Sequence, residues 1–350
     1  MTKHVESTEL ASGSEFNSRR LHQRIAECGF RIAELPPAHP SNLRTPGPFI
    51  TRAKFALKSA IRNPQSAIPE LPIGIFDSGV GGLTVYRALH ERLPNERFVY
   101  LGDTARVPYG TKSLSTVERY AIENARFLEA HGIKLLVVAC NTASALALPA
   151  IRKAVSVEVI GVIEPGARAA VLAAGGKAIG IIATEATVQS HAYSEAIGTI
   201  DGQLTVIERA CPLFVPLAEE GWVDNAVTRN VAAQYLDGLT RDSLGALVMG
   251  CTHYPILRDV IAATVGDNIS LIDSGAATAR EVAALLDEEG IAHTPRKSLA
   301  DERKLCDDLD HFYVTDAAER FAKVAERFLG SAPSVLEAVE VWGHDELHTH

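Results

Sequence analysis

The sequence predicts an α/β protein of two pseudo-symmetric domains with mostly parallel sheets, and three observations carry that expectation. Between about Pro72 and Gly330, short β-branched apolar runs alternate with Ala-rich amphipathic stretches of helical length, the pattern of successive βα units. Ile73-Gly74-Ile75-Phe76-Asp77-Ser78 matches Ile179-Gly180-Ile181-Ile182-Ala183-Thr184 at an offset of 106, from 73 to 179. Val137-Val138-Ala139-Cys140-Asn141-Thr142 matches Val248-Met249-Gly250-Cys251-Thr252-His253 at an offset of 111, from 137 to 248. Strands of α/β proteins resemble one another, so either match alone means little. Two matches in the same order, with cysteine in the same place, point to an internal duplication.

The elements follow in order. Expected strands are Ile73 to Phe76, Arg97 to Gly102, Lys134 to Ala139 and Glu158 to Val162, then Ala178 to Ala183, Thr205 to Glu208, Ala246 to Gly250 and Ser270 to Ile272. The amphipathic stretches between them supply the crossover helices that parallel strands require. The segment from Met1 to Pro72 is different: it holds eight of the 17 prolines and is basic where the rest of the chain is acidic. Helical turns are expected around Ser18 to Ile32 and Ile50 to Ile61, but the prolines from Pro36 onward break any long element. Residues 1–71 therefore read as a poorly ordered N-terminal extension. The acidic, His-tipped end from about Ser331 to His350, with Trp342 isolated in it, reads as a frayed C-terminal tail.

Composition narrows the function. Among 350 residues, 34 Lys and Arg stand against 43 Asp and Glu, a formal charge of −9 that repels phosphate backbones and anionic lipid. Nucleic acid and membrane are accordingly not expected partners. The longest clean apolar runs, such as Leu135 to Cys140, are far short of a membrane span, and the charged stretch from Met1 to Phe30 holds no signal-peptide core. A cytoplasmic protein is expected. Cys28, Cys140, Cys211, Cys251 and Cys306 are too scattered for a disulfide framework and form no C-x-x-C metal or redox pair.

Cys140 and Cys251 each fall on the first residue after an expected strand, where ligands sit in open α/β sheets. If the two halves pack with these ends facing, an active site lies in the cleft between them and a thiol reaches a bound molecule from each side. That suits inversion of a stereocentre, one group removing a proton and the other returning one. Cys28, Cys211 and Cys306 read as small core residues. Each reactive thiol needs help to lose its proton near neutral pH, and the natural partners are Asp77 for Cys140 and His253 for Cys251. The glycine cluster from Asp77 to Thr84 fails both nucleotide templates, having Thr84 where the last glycine of G-x-G-x-x-G belongs and no P-loop lysine. It reads as a loop whose amides approach a small anion. Tyr109, in Pro108-Tyr109-Gly110-Thr111-Lys112 after the second expected strand, reads as a wall of the pocket.

The segments IGIFDSGVGGLT (Ile73 to Thr84), VPYGTK (Val107 to Lys112), ACNTA (Ala139 to Ala143), CPLFVPLAE (Cys211 to Glu219) and GCTHYP (Gly250 to Pro255) together resemble glutamate racemases of the aspartate/glutamate racemase superfamily. The resemblance spans about residues 72 to 330. It implies cofactor-independent interconversion of L-glutamate and D-glutamate, without pyridoxal phosphate or metal, the D-isomer serving bacterial peptidoglycan. It also implies that Cys140 and Cys251 are the proton-transfer pair, assisted by Asp77 on one side and by His253 and Glu219 on the other. Ser78, Tyr109, Gly110, Asn141, Thr142, Thr184, Thr187 and Thr252 form the implied substrate shell with Asp77, Pro108 and His253. In such enzymes the first domain takes back the chain after the second, which places the domains at 72–165 plus 273–330 and at 166–272. Homodimers are common among them, and one is expected here. Aspartate racemase on the same scaffold is the nearest alternative, since pocket shape sets side-chain length. A cysteine hydrolase built on Cys251 and His253 would leave Cys140 without a role.

Overall fold

A computed structural model describes residues 68–239, 244–294 and 303–342. Strands β1 (Ile73–Asp77), β2 (Phe98–Gly102), β3 (Leu135–Val138) and β4 (Glu158–Gly161) alternate with helices α1 (Leu83–Arg92), α2 (Leu114–Ala130) and α3 (Asn141–Ala154). Helix α4 (Ile163–Ala174) leads to β5 (Ala178–Ala183), α5 (Glu185–Gln189), α6 (Ala192–Ile200), β6 (Val206–Ala210), α7 (Phe214–Glu219), α8 (Ala226–Leu236), β7 (Leu244–Gly250), α9 (Arg258–Val265) and β8 (Ser270–Asp273). The described chain closes with α10 (Ser274–Glu288), β9 (His311–Val314), α11 (Ala318–Leu329) and β10 (Leu336–Ala338).

The strands form two sheets, one in the order β10-β9-β2-β1-β3-β4 and the other β6-β5-β7-β8, and every pairing is parallel. The order β2-β1-β3-β4 is repeated as β6-β5-β7-β8. Even the register repeats: Phe76 lies beside Val138 in the first sheet and Ile182 beside Met249 in the second, the same positions related by the two sequence offsets. Residues of β1, β2, β3 and β7 are buried throughout, as expected of parallel strands covered by helices on both faces. That is why they read as continuous apolar runs rather than alternating ones.

The junction between the halves is fixed locally. Asp273 ends β8 and caps α10, its Oδ1 accepting from the amides of Gly275 at 2.8 Å and Ala276 at 3.2 Å, which sets where the helix starts. Helix α10 then packs against both α1 and α4, after which the chain returns to the first sheet at β9.

Three expectations are corrected. The extension is expected to run through residue 71, but Ile68–Glu70 form a 3-10 turn with Ile68 buried, and the Pro69 carbonyl accepts from Lys134 Nζ at 3.0 Å; residues 1–67, with both expected helical turns and Cys28, lie outside the described residues. Strand β9 is not among the expected strands, because His311 and Tyr313 alternate with buried Phe312 and Val314 and interrupt the apolar run that marks the inner strands. Nor is the start of the tail frayed: β10 pairs with β9, Val341 is buried in the core, and Arg106 lies 5.5 Å from the Trp342 ring centroid. Residues 343–350 lie outside the described residues. Among the described residues no helix is long and apolar enough to cross a membrane.

Candidate active site

The carboxyl ends of the central strands carry the polar residues. On the first sheet, β1 delivers a fully buried Asp77 and β3 leads into Cys140. Cys140 caps α3, and its Sγ accepts from the Ala143 amide at 3.5 Å, so the thiol meets the positive end of the helix dipole. It also donates to Ser78 Oγ at 3.4 Å. Burial, followed by the charge of Asp77, nevertheless pushes the Cys140 thiol up to about 12. Burial likewise raises Asp77, against the pull of His253 and of backbone amides, one of which, Gly79 N–H, donates to Oδ2 at 2.9 Å.

On the second sheet, β7 leads into Cys251. Its Sγ lies 3.7 Å from His253 Nδ1, and His253 Nε2 lies 3.1 Å from Glu219 Oε1 at the end of α7. Burial opposes charge on the imidazole, but the thiol and the Glu219 carboxylate outweigh it and push His253 up to about 10. Burial acts against the Glu219 charge too, yet His253 and then Arg320 hold that carboxyl below its usual range. Thiol, imidazole and carboxylate thus form a continuous chain, the order in which a base is oriented and kept charged.

The two sides interlock. Thr252 Oγ1 donates to Asp77 Oδ1 at 3.5 Å, and Thr84 Oγ1 donates to the Thr252 carbonyl at 2.8 Å. Gly81 lies against this crossing: a Cβ there would stand 2.2 Å from Thr252 Oγ1 and 2.5 Å from His253 Nδ1, closer than any side chain tolerates. The glycine loop, expected to approach an anion, therefore has a packing reason at Gly81. Thr142 at the start of α3 shares hydrogen bonds with Thr184 at 3.0 Å and Thr187 at 3.3 Å, and Thr184 with Thr187 at 2.9 Å, so three hydroxyls join the sheets on the opposite flank.

Asn141 Nδ2 donates to Tyr193 Oη at 2.8 Å and Ser274 Oγ at 3.4 Å; its Oδ1 is buried with no hydrogen-bond partner among the described groups. Pro108 is exposed and Gly110 half-buried, whereas the Tyr109 ring is buried and its hydroxyl turned toward Asp103 and Asn124. Tyr109 is thus placed as an anchor of the wall rather than as its open face. Cys211 and Cys306 are buried, as expected of core residues. Sequence reasoning missed Thr84, Tyr193, Ser274 and Arg320. Thr84 lies inside a motif the sequence displays; the other three are single residues on helices, without a local signal.

Residues 73–282 match the family model for Asp/Glu/hydantoin racemases. A glutamate racemase of Geobacter metallireducens is 50% identical over 263 residues, 75% of this chain and 94% of that protein. The crystal structure of a glutamate racemase isoform from Bacillus anthracis superposes with a TM-score of 0.71 at 38% identity, covering 77% of this chain and 97% of the other. That of the Francisella tularensis glutamate racemase in complex with D-glutamate gives 0.70 at 37% identity, covering 78% and 98%. With the family model matching well over half of the chain and relatives covering three quarters of it, the chain belongs to the Asp/Glu/hydantoin racemase family.

Proposed function

We propose that the protein interconverts L-glutamate and D-glutamate without a cofactor, by proton transfer between Cys140 and Cys251. The observation that carries the reading is the repetition of one device: a thiol within two residues of the end of the matching strand of each sheet, each beside its own titratable partner. One thiolate takes the α-proton of glutamate, leaving the electron pair on the α-carbon and carboxylate. The opposite thiol then gives its proton to the other face, and the two sulfurs have exchanged protonation states. Run backward, the same two groups serve the opposite enantiomer.

The difficulty is the weak acidity of the α-hydrogen. Without an electron-sink cofactor, the developing negative charge must be met by oriented donors around the carboxylate. Asn141, Thr142 and Thr252 are suited to that, with Ser78, Gly110, Thr184 and Thr187 completing the shell. The arriving α-ammonium brings positive charge beside the Cys140 thiol, which burial disfavours as an anion. Proton loss from Cys140 is thereby tied to substrate binding, with Asp77 as acceptor. On the other side His253, held by Glu219, manages the Cys251 proton.

The same reading makes the two sheets the centres of two pseudo-symmetric lobes, residues 72–165 with 273–330 and residues 166–272. The enzyme would work in the cytoplasm as a homodimer and supply D-glutamate to peptidoglycan.

Incubation with L-glutamate in heavy water tests the activity. Optical rotation should decay to zero as deuterium enters the α-position. Unchanged glutamate rejects this substrate, and faster turnover of aspartate assigns the shorter acid instead.

A further inference from the structure

Asp103, the residue after β2, is fully buried, and its carboxylate is surrounded by donors other than the two thiols. Arg106 Nε donates to Oδ1 at 2.9 Å and Oδ2 at 2.8 Å, Thr315 Oγ1 donates to Oδ1 at 3.0 Å, and the Tyr109 hydroxyl donates to Oδ2. Asn124 on α2 closes the ring, its Nδ2 donating to Tyr109 Oη at 3.0 Å while its Oδ1 accepts from Arg106 Nη2 at 2.9 Å. Arg106 also pairs with Glu123 and lies over the Tyr120 ring at 4.2 Å. A buried ionic network satisfied at every member adds little net stability but specifies one geometry.

The geometry it specifies is that of the turn at Tyr109–Thr111. Tyr109 packs in the same core cluster as Cys140. The next residue, Gly110, comes so close to the second sheet's Thr184 that a Cβ would stand 3.0 Å from the threonine Cβ. The network is thus rooted in the first sheet, and its far end bears on the hydroxyl cluster joining the two sheets.

We propose that Asp103 is a positioning residue for the reaction: acting through Tyr109, it holds the Pro108–Gly110 wall against Thr184 and sets the width of the cleft beside Thr142, Thr184 and Thr187. The proposal rests on the reading of this cleft as the glutamate site.

Asp103→Asn and Tyr109→Phe test it with the shape of the network kept. In both, KM for D- and L-glutamate should rise about tenfold while kcat changes by less than about threefold, the signature of lost binding shared by ground and transition states. Asp103→Ala, which removes every acceptor, should be more severe than Asp103→Asn. A readout independent of glutamate is the rate at which iodoacetamide alkylates Cys140, followed by peptide mass spectrometry. A loosened wall should raise it several-fold in each variant, while circular dichroism shows the fold retained. If KM and alkylation both stay at wild-type values, or only the melting temperature falls, Asp103 is a structural residue and the proposal is overturned. If the wild-type chain leaves glutamate unchanged, the substrate reading fails and the alkylation rates decide the positioning role by themselves.

Discussion

Cys140 and Cys251 follow equivalent strands in equivalent registers, but their surroundings have opposite sign. Beside Cys140 stands Asp77, whose negative charge adds to burial in resisting thiolate formation, offset only by the α3 amide and Ser78. Beside Cys251 stands an imidazole raised to about 10 and backed by a carboxylate, a group that stabilises an adjacent anion. The repeated frame sets where each sulfur is, while a single neighbouring residue sets how it handles a proton. Racemisation runs in both directions, so the two sides need equal reach but not equal chemistry.

The strongest way to break the comparison is to remove one sulfur at a time. Cys140→Ser and Cys251→Ser should each lower kcat/KM by about a hundred- to ten-thousand-fold, the usual worth of a positioned acid or base. The losses should also be distinguishable. Abstraction becomes limiting on the face that lost its thiol, so the α-deuterium isotope effect should grow for one enantiomer in Cys140→Ser and for the other in Cys251→Ser. Growth for the same enantiomer in both would mean that the sulfurs do not oppose each other across the carbon.

Exchanging the partners sharpens it. Asp77→Asn removes the negative charge beside Cys140 and should speed alkylation of that thiol at neutral pH in the substrate-free enzyme, while depriving turnover of the acceptor for its proton. His253→Asn removes the charged imidazole that lies 3.7 Å from the Cys251 sulfur and should slow alkylation there. Both should reduce turnover by about tenfold to a hundredfold, less than loss of a thiol, because each acts through the sulfur. Equal shifts at the two cysteines would show that the asymmetry of charge has no chemical consequence.

The same two regions show what a sequence makes visible. Ile73 to Phe76 and Val137 to Cys140 are legible because an inner parallel strand is buried on both faces and leaves an uninterrupted apolar run. The duplication makes the thiols legible, since cysteine recurs at one position of a repeated frame. His311–Val314 lacks that mark: it joins the outer side of the sheet, where alternate side chains stay half-exposed. Leu336–Ala338 is too short to carry a period at all. In the site, Gly81 stands out in the sequence but its reason does not, because the atoms it must avoid belong to Thr252 and His253, in the other half of the duplication. The Asp103 network has the same origin, gathering side chains from the end of β2, from α2 and from the segment after β9.

Stability should carry a smaller trace of the asymmetry, and its sign is determined. His253 titrates near 6.5 as a free side chain and near 10 in the fold, so the folded state binds its proton more tightly than the unfolded chain does. Stability from this proton is complete below about pH 6.5 and is lost as pH rises toward about 10. The gap in urea midpoint between the wild type and His253→Asn should therefore be flat at acid pH and shrink across that window. Glu219→Gln, which removes the carboxylate holding the imidazolium, should move the shrinkage to lower pH while leaving its direction unchanged. A gap that widened with rising pH would mean that His253 is stored neutral. The Cys251 side would then offer its thiol no positive neighbour, and the difference between the two halves would vanish.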